Sequence, residues 1–125
     1  MLPGATSSSG GFAVDSQTSD GEVRLALSGE LDIATVPRLE EAVAACDGTL
    51  DGRLTLDLSD LTFLDSTGLR GILQLHARAE REDWSLVVVP GPAAVQRVFE
   101  LTGTEHILNF ATAARTAEDA AAAPG

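Results

Sequence analysis

Lysine and tyrosine are absent from this chain of 125 residues, and cysteine, methionine and tryptophan occur once each. A lone Cys46 excludes a disulfide framework and a cysteine-based metal site within one chain. His76 and His106 are the only histidines, and no third ligand stands at a suggestive spacing, so zinc lacks an adequate ligand set. No apolar run approaches the roughly 20 residues needed to cross a membrane. The N-terminus has neither the basic region nor the apolar stretch of a secretory signal, which makes the cytoplasm the expected compartment. There is no P-loop and no glycine-rich dinucleotide fingerprint. No acid–base or nucleophile constellation stands out, so neither a cofactor nor an enzymatic reaction is expected.

Positive charge is the other shortage. Eight basic residues, all arginine, face nineteen acidic ones, for a formal net charge of -11. That balance argues against nucleic acid and anionic membranes as partners, because both are themselves anionic. Four phenylalanines and one tryptophan also make a poor stacking platform for single strands. The charge suits a basic protein surface, or serves only to keep a small protein in solution.

What is present is ordinary for one globular domain: 44% hydrophobic and 22% charged residues, at a length that supports one core. Residues 1–10 hold too little apolar surface to order themselves and read as a flexible tail. Residues 112–125 are alanine-rich, end in Pro124-Gly125, and read as a weak C-terminal helix that frays. The domain is expected over residues 11–111.

Within it the hydrophobic period alternates between two and three-to-four. Phe12-Ala13-Val14 and the alternating Val23, Leu25 and Leu27 form a hairpin about Asp20-Gly21. Leu39, Ala42, Val43 and Cys46 define a helix with Thr35 as N-cap, Pro37 in its first turn and Asp47-Gly48 as its stop. Leu54, Leu56 and Leu58 make a strand, and Leu69, Ile72, Leu73 and His76 a second helix. Leu86–Val89 reads as a strand buried on both faces. Pro92 opens a third helix carrying Val95, Val98 and Phe99, and Gly103 ends it. Ile107–Phe110 reads as a short last strand. The order β-β-α-β-α-β-α-β-α predicts an α/β domain: a mixed sheet of four to five strands, parallel crossovers and about four helices.

One segment carries chemistry. After the strand of Leu54, Leu56 and Leu58, a short connection ends in Phe63-Leu64, and Asp65-Ser66-Thr67-Gly68 opens the second helix. Taken alone, Ser66 reads as the helix cap. Gly68 is costly there, by about 1 kcal/mol relative to alanine, and reads as a place where something outside approaches the backbone.

This segment, with Gly29-Glu30-Leu31-Asp32 and the Val95…Val98-Phe99 helix, resembles the STAS-domain anti-sigma factor antagonists of bacteria. The three motifs occur in the family's order, and the resemblance covers roughly residues 12–110. It implies a regulatory switch. The unphosphorylated antagonist would bind an anti-sigma factor that is also a serine kinase of the GHKL ATPase type, freeing the sigma factor. Phosphorylation would abolish that binding, and a PP2C-type phosphatase would restore it. Carried over by position, the phospho-acceptor is Ser66. Asp32 and Asp65 match the acidic positions beside it, and Thr67 and Gly68 complete the motif.

Arg70 departs from the family pattern, which often has a small residue there. It is either a solvated arginine, a partner for the phosphate, or a reader of an acidic patch on another protein. The free domain is expected to be a monomer or weak dimer. Two rival readings are a non-switching STAS scaffold or transporter-accessory module, and a small acidic enzyme with an unrecognised site.

Overall fold

The computed structural model describes residues 11–46 and 52–111. Strands β1 (Ala13–Ser19) and β2 (Glu22–Leu31) pair antiparallel in the register Ser19↔Glu22. Only Asp20 and Gly21 separate them, at φ 53° and 81°, the two left-handed residues a tight hairpin turn requires. Phe12 precedes β1 instead of joining it. Its ring is fully buried beneath the guanidinium of Arg38, 5.4 Å from the ring centre.

Beyond the hairpin the sheet is parallel. Helix α1 (Val36–Ala45) links β2 to β3 (Arg53–Leu64), and helix α2 (Ser66–Glu82) links β3 to β4 (Ser85–Val89). The strand order is β1-β2-β3-β4, so both crossovers step the same way across the sheet. Right-handed connection therefore puts α1 and α2 on one face, where they pack together. Helix α3 (Ala93–Thr102) follows, buries Val95 and Phe99, and stops at left-handed Gly103.

The buried residues Val23, Leu25, Leu27, Leu54, Leu56 and Leu58 show the two-residue period expected of strands. Farther along β3 the core positions are Leu61 and Leu64, and the spacing becomes three. Two irregularities explain the change. Between Ala26/Ser28 and again between Gly29/Glu30, β3 advances one residue more than β2. Each such bulge turns the strand, so every third residue faces inward. A connection after Leu58 was the expectation from periodicity; β3 instead continues to Leu64.

Two further expectations are corrected. Strand β4 is buried through Leu86 and Val88, but Val87 and Val89 are only half-covered, so one of its faces is partly open. The last strand shrinks to a single parallel bridge, Val88↔Phe110. A 3-10 turn at Thr104–His106 uses the residues after Gly103, and only Asn109 and Ala111 reach the backbone of Val88. Phe110 still contributes to the core, meeting Phe99 edge-on at 5.1 Å. The described residues hold three α-helices. The expected helix over 112–125, the tail over 1–10 and the stop at Asp47-Gly48 lie outside them.

Candidate functional site at the carboxyl ends of two parallel strands

Strands β2 and β3 end together. Leu31 and Leu64 are paired, so Asp32 and Asp65 leave the sheet side by side, and the Asp65 N–H donates to the Leu31 carbonyl at 3.3 Å. Both aspartates then perform the same local task. The Asp32 carboxylate accepts from the N–H groups of Ala34 at 2.9 Å and Thr35 at 3.2 Å, which turns the chain into α1. Asp65 accepts from the Gly68 N–H at 2.8 Å and is the N-cap of α2.

That arrangement corrects the reading of Ser66 as the cap. Asp65 has the extended backbone of an N-cap, at φ -106° and ψ -175°, while Ser66 is already the first helical residue. Ser66 is exposed, and among the described residues its hydroxyl has no hydrogen-bond partner. The residue read as structural is the free one, and its acidic neighbour holds the helix.

Thr35 also differs from expectation. It stands at the N-cap of α1, yet its side chain makes no capping bond. It is buried, donates to the Glu30 carbonyl at 2.8 Å and accepts from the Asp32 N–H at 2.9 Å. Thr35 thus ties the end of β2 to the start of α1.

Gly68 answers to a close approach from inside the fold. A Cβ there would stand 2.5 Å from the Leu31 carbonyl oxygen and 2.8 Å from Leu64 Cδ1. The glycine lets α2 begin directly against the end of β2. Thr67 is half-exposed, and Arg70 is exposed one turn farther along α2.

The sequence reading missed two apolar neighbours. Ile33, in the Asp32 turn, is 73% exposed, and Phe63, paired with Glu30 at the end of β3, is 47% exposed. Phe63 resembles a core residue in sequence, and only the second bulge explains why it faces outward. The signal was its place beside Leu64, since two adjacent strand residues do not share a face.

Two concavities, neither of them including Ser66, lie elsewhere: one between α1 and α2 beside Leu39, Gly71 and Leu75, the other beside Arg24 at the hairpin. Among the described residues no group of three or more His, Cys, Asp or Glu side chains is gathered for a metal, and no helix is long and apolar enough to cross a membrane. The surface therefore presents a free hydroxyl, two anchored carboxylates and the exposed apolar side chains of Ile33 and Phe63.

Comparison with known proteins agrees with this architecture. Residues 14–109 match the family model described as "Mlab, STAS domain". An anti-sigma-B factor antagonist of Staphylococcus aureus (strain NCTC 8325 / PS 47) is 30% identical over 98 residues, which is 77% of this chain and 89% of the relative. Among solved structures, an anti-sigma factor antagonist from Mycobacterium paratuberculosis superposes with a TM-score of 0.73 at 29% identity, covering 88% of this chain and 91% of that one. The Bacillus cell fate determinant SpoIIAA in its phosphorylated form shares the fold, with a TM-score of 0.62 at 20% identity over 88% of this chain and 96% of that one. Its sequence and its mixed four-stranded sheet together establish that this chain belongs to the STAS domain family.

Proposed function

We propose that this protein is an anti-sigma factor antagonist switched by phosphorylation of Ser66. Unphosphorylated, it binds an anti-sigma factor of the GHKL serine kinase type over the surface formed by Asp32, Ile33, Phe63, Ser66 and Thr67, and the sigma factor is released. The kinase then transfers the γ-phosphoryl group of ATP to the Ser66 oxygen. The hydroxyl proton passes to a base of the kinase, and ADP leaves. A PP2C-type phosphatase returns the hydroxyl by hydrolysis. The observation that carries this reading is the exposed Ser66 hydroxyl, free because Asp65 caps α2.

The energetics of such a switch are adequate without refolding. A phosphoryl group brings about -1.5 to -2 charges at neutral pH. At about 6 Å and an effective dielectric of about 20, each like-charged unit pair across the interface costs at most about 3 kcal/mol. Reversing a 99:1 population takes about 5.5 kcal/mol. Two such repulsions, with the added bulk, are sufficient. The fold itself is undisturbed, because an anion is favourable at the start of a helix.

The test is a capture experiment from lysate of the source organism with wild type, Ser66→Ala and Ser66→Glu as baits. Wild type and Ser66→Ala should retain a small GHKL-type kinase, identified by mass spectrometry, and Ser66→Glu should lose it. The second reading, a non-switching scaffold or transporter-accessory module, keeps the fold and leaves Ser66 unmodified. It requires all three baits to retain the same proteins.

A further inference from the structure

We propose that Arg70 is the internal counter-ion of a phosphoryl group on Ser66, closing over it as a guanidinium–phosphate pair along the first turns of α2. The inference rests on the phosphoserine reading above and adds a residue that sets the properties of the modified state.

Ser66 and Arg70 stand four residues apart in α2, so their Cβ atoms are about 5–6 Å apart on one helix face. Side chains on a helix lean toward its N-terminus, and a long one covers the turn preceding its own Cα. The surface that Arg70 covers is therefore the turn that begins at Ser66. Both residues are exposed.

Arg70 is also uncommitted. Arg24 pairs with Asp57, Arg78 pairs with Glu82, and Arg38 lies over Phe12. Among the described residues Arg70 makes no ion pair and no hydrogen bond. The two carboxylates of the site are occupied by backbone N–H groups, Asp32 with Ala34 and Thr35, and Asp65 with Gly68. A neutral hydroxyl offers the guanidinium little. A phosphate dianion offers paired oxygens that match its planar fork. Phosphorylation thus makes two changes at once: it adds negative charge at Ser66 and draws the site's cation away from a docking partner.

The experiment uses the full chain with phosphoserine installed at position 66 during translation, in the wild-type and Arg70→Gln backgrounds. The second ionisation of the phosphate is followed by phosphorus NMR. With Arg70 present its pKa should lie about half a unit lower than in Arg70→Gln at low salt, as an exposed opposite charge one helix turn away dictates. The gap should narrow in 1 M salt, where the screening length falls to about 3 Å. The unphosphorylated forms should melt at the same temperature. Identical titrations in the two backgrounds at low salt would overturn the inference. Because the phosphoserine is installed directly, that result would leave the Ser66 switch to be judged by the capture experiment.

Discussion

The β2–β3 pair carries polar clusters in two places, and their chemistry differs. Within the paired strands, Arg24 and Asp57 form an ion pair, and Asp57 also accepts from the Ser59 N–H at 2.9 Å and its hydroxyl at 2.7 Å. Every partner in that cluster belongs to the fold. At the carboxyl end, Asp32 and Asp65 bind backbone groups of the turns they begin, while Ser66 and Arg70 are left facing solvent. The first cluster stabilises the sheet. The second is anchored to the backbone through its carboxylates and leaves its hydroxyl and guanidinium without partners among the described residues.

The sharpest way to break that contrast is to attack the support of the second cluster without touching its exposed groups. Gly68→Val places side-chain carbon against the Leu31 carbonyl and Leu64, and overpacking of this kind costs about 1–3 kcal/mol or more. Urea denaturation should show that loss, and partner capture should weaken although Ser66 is intact.

Asp57 tests the first cluster. Burial pushes its carboxyl up, but the Ser59 N–H and hydroxyl and the Arg24 guanidinium outweigh burial and hold it below the ordinary value of 3.8. Because the folded pKa is lowered, its contribution is complete above the unfolded value and is lost as pH falls through the folded one. Asp57→Asn should therefore be less stable than wild type by about 1–2 kcal/mol near neutrality. The gap should hold at higher pH and narrow below about pH 4. A gap independent of pH down to full protonation would show that the charge of Asp57 is not what stabilises the sheet.

The smallest effects separate Asp65 from Ser66. Asp65→Ala removes the cap and should cost about 1 kcal/mol in thermal or chemical unfolding. Ser66→Ala removes an exposed hydroxyl without a partner and should stay within about 0.5 kcal/mol of wild type. If the two costs were reversed, Ser66 would be the structural residue and the switch would lose its basis.

Much of this was legible in the linear chain. The hairpin about Asp20-Gly21, the two crossovers and the stop at Gly103 follow from local rules, because turn residues and hydrophobic periods act over a few neighbours. The candidate site was legible as a string, Asp65 to Gly68 with Asp32, but the division of labour inside it was not. Aspartate and serine are both good caps, and spacing does not tell which of two adjacent residues will hold the helix. The backbone at Asp65, fixed by its bond to Leu31 in the neighbouring strand, made that choice.

The same distinction runs through the molecule. Sequence by itself determined the order of elements, their inward faces where the period is regular, and a string of acid and hydroxyl residues at a helix start. Tertiary structure alone decided what depends on contact between distant segments. The Leu31 carbonyl explains Gly68, the two β2–β3 bulges carry β3 past Leu58 and turn Phe63 outward, and the Val88 bridge is all that remains of the last strand. Each depends on a neighbour about twenty to forty residues away in the chain, beyond the reach of any local pattern.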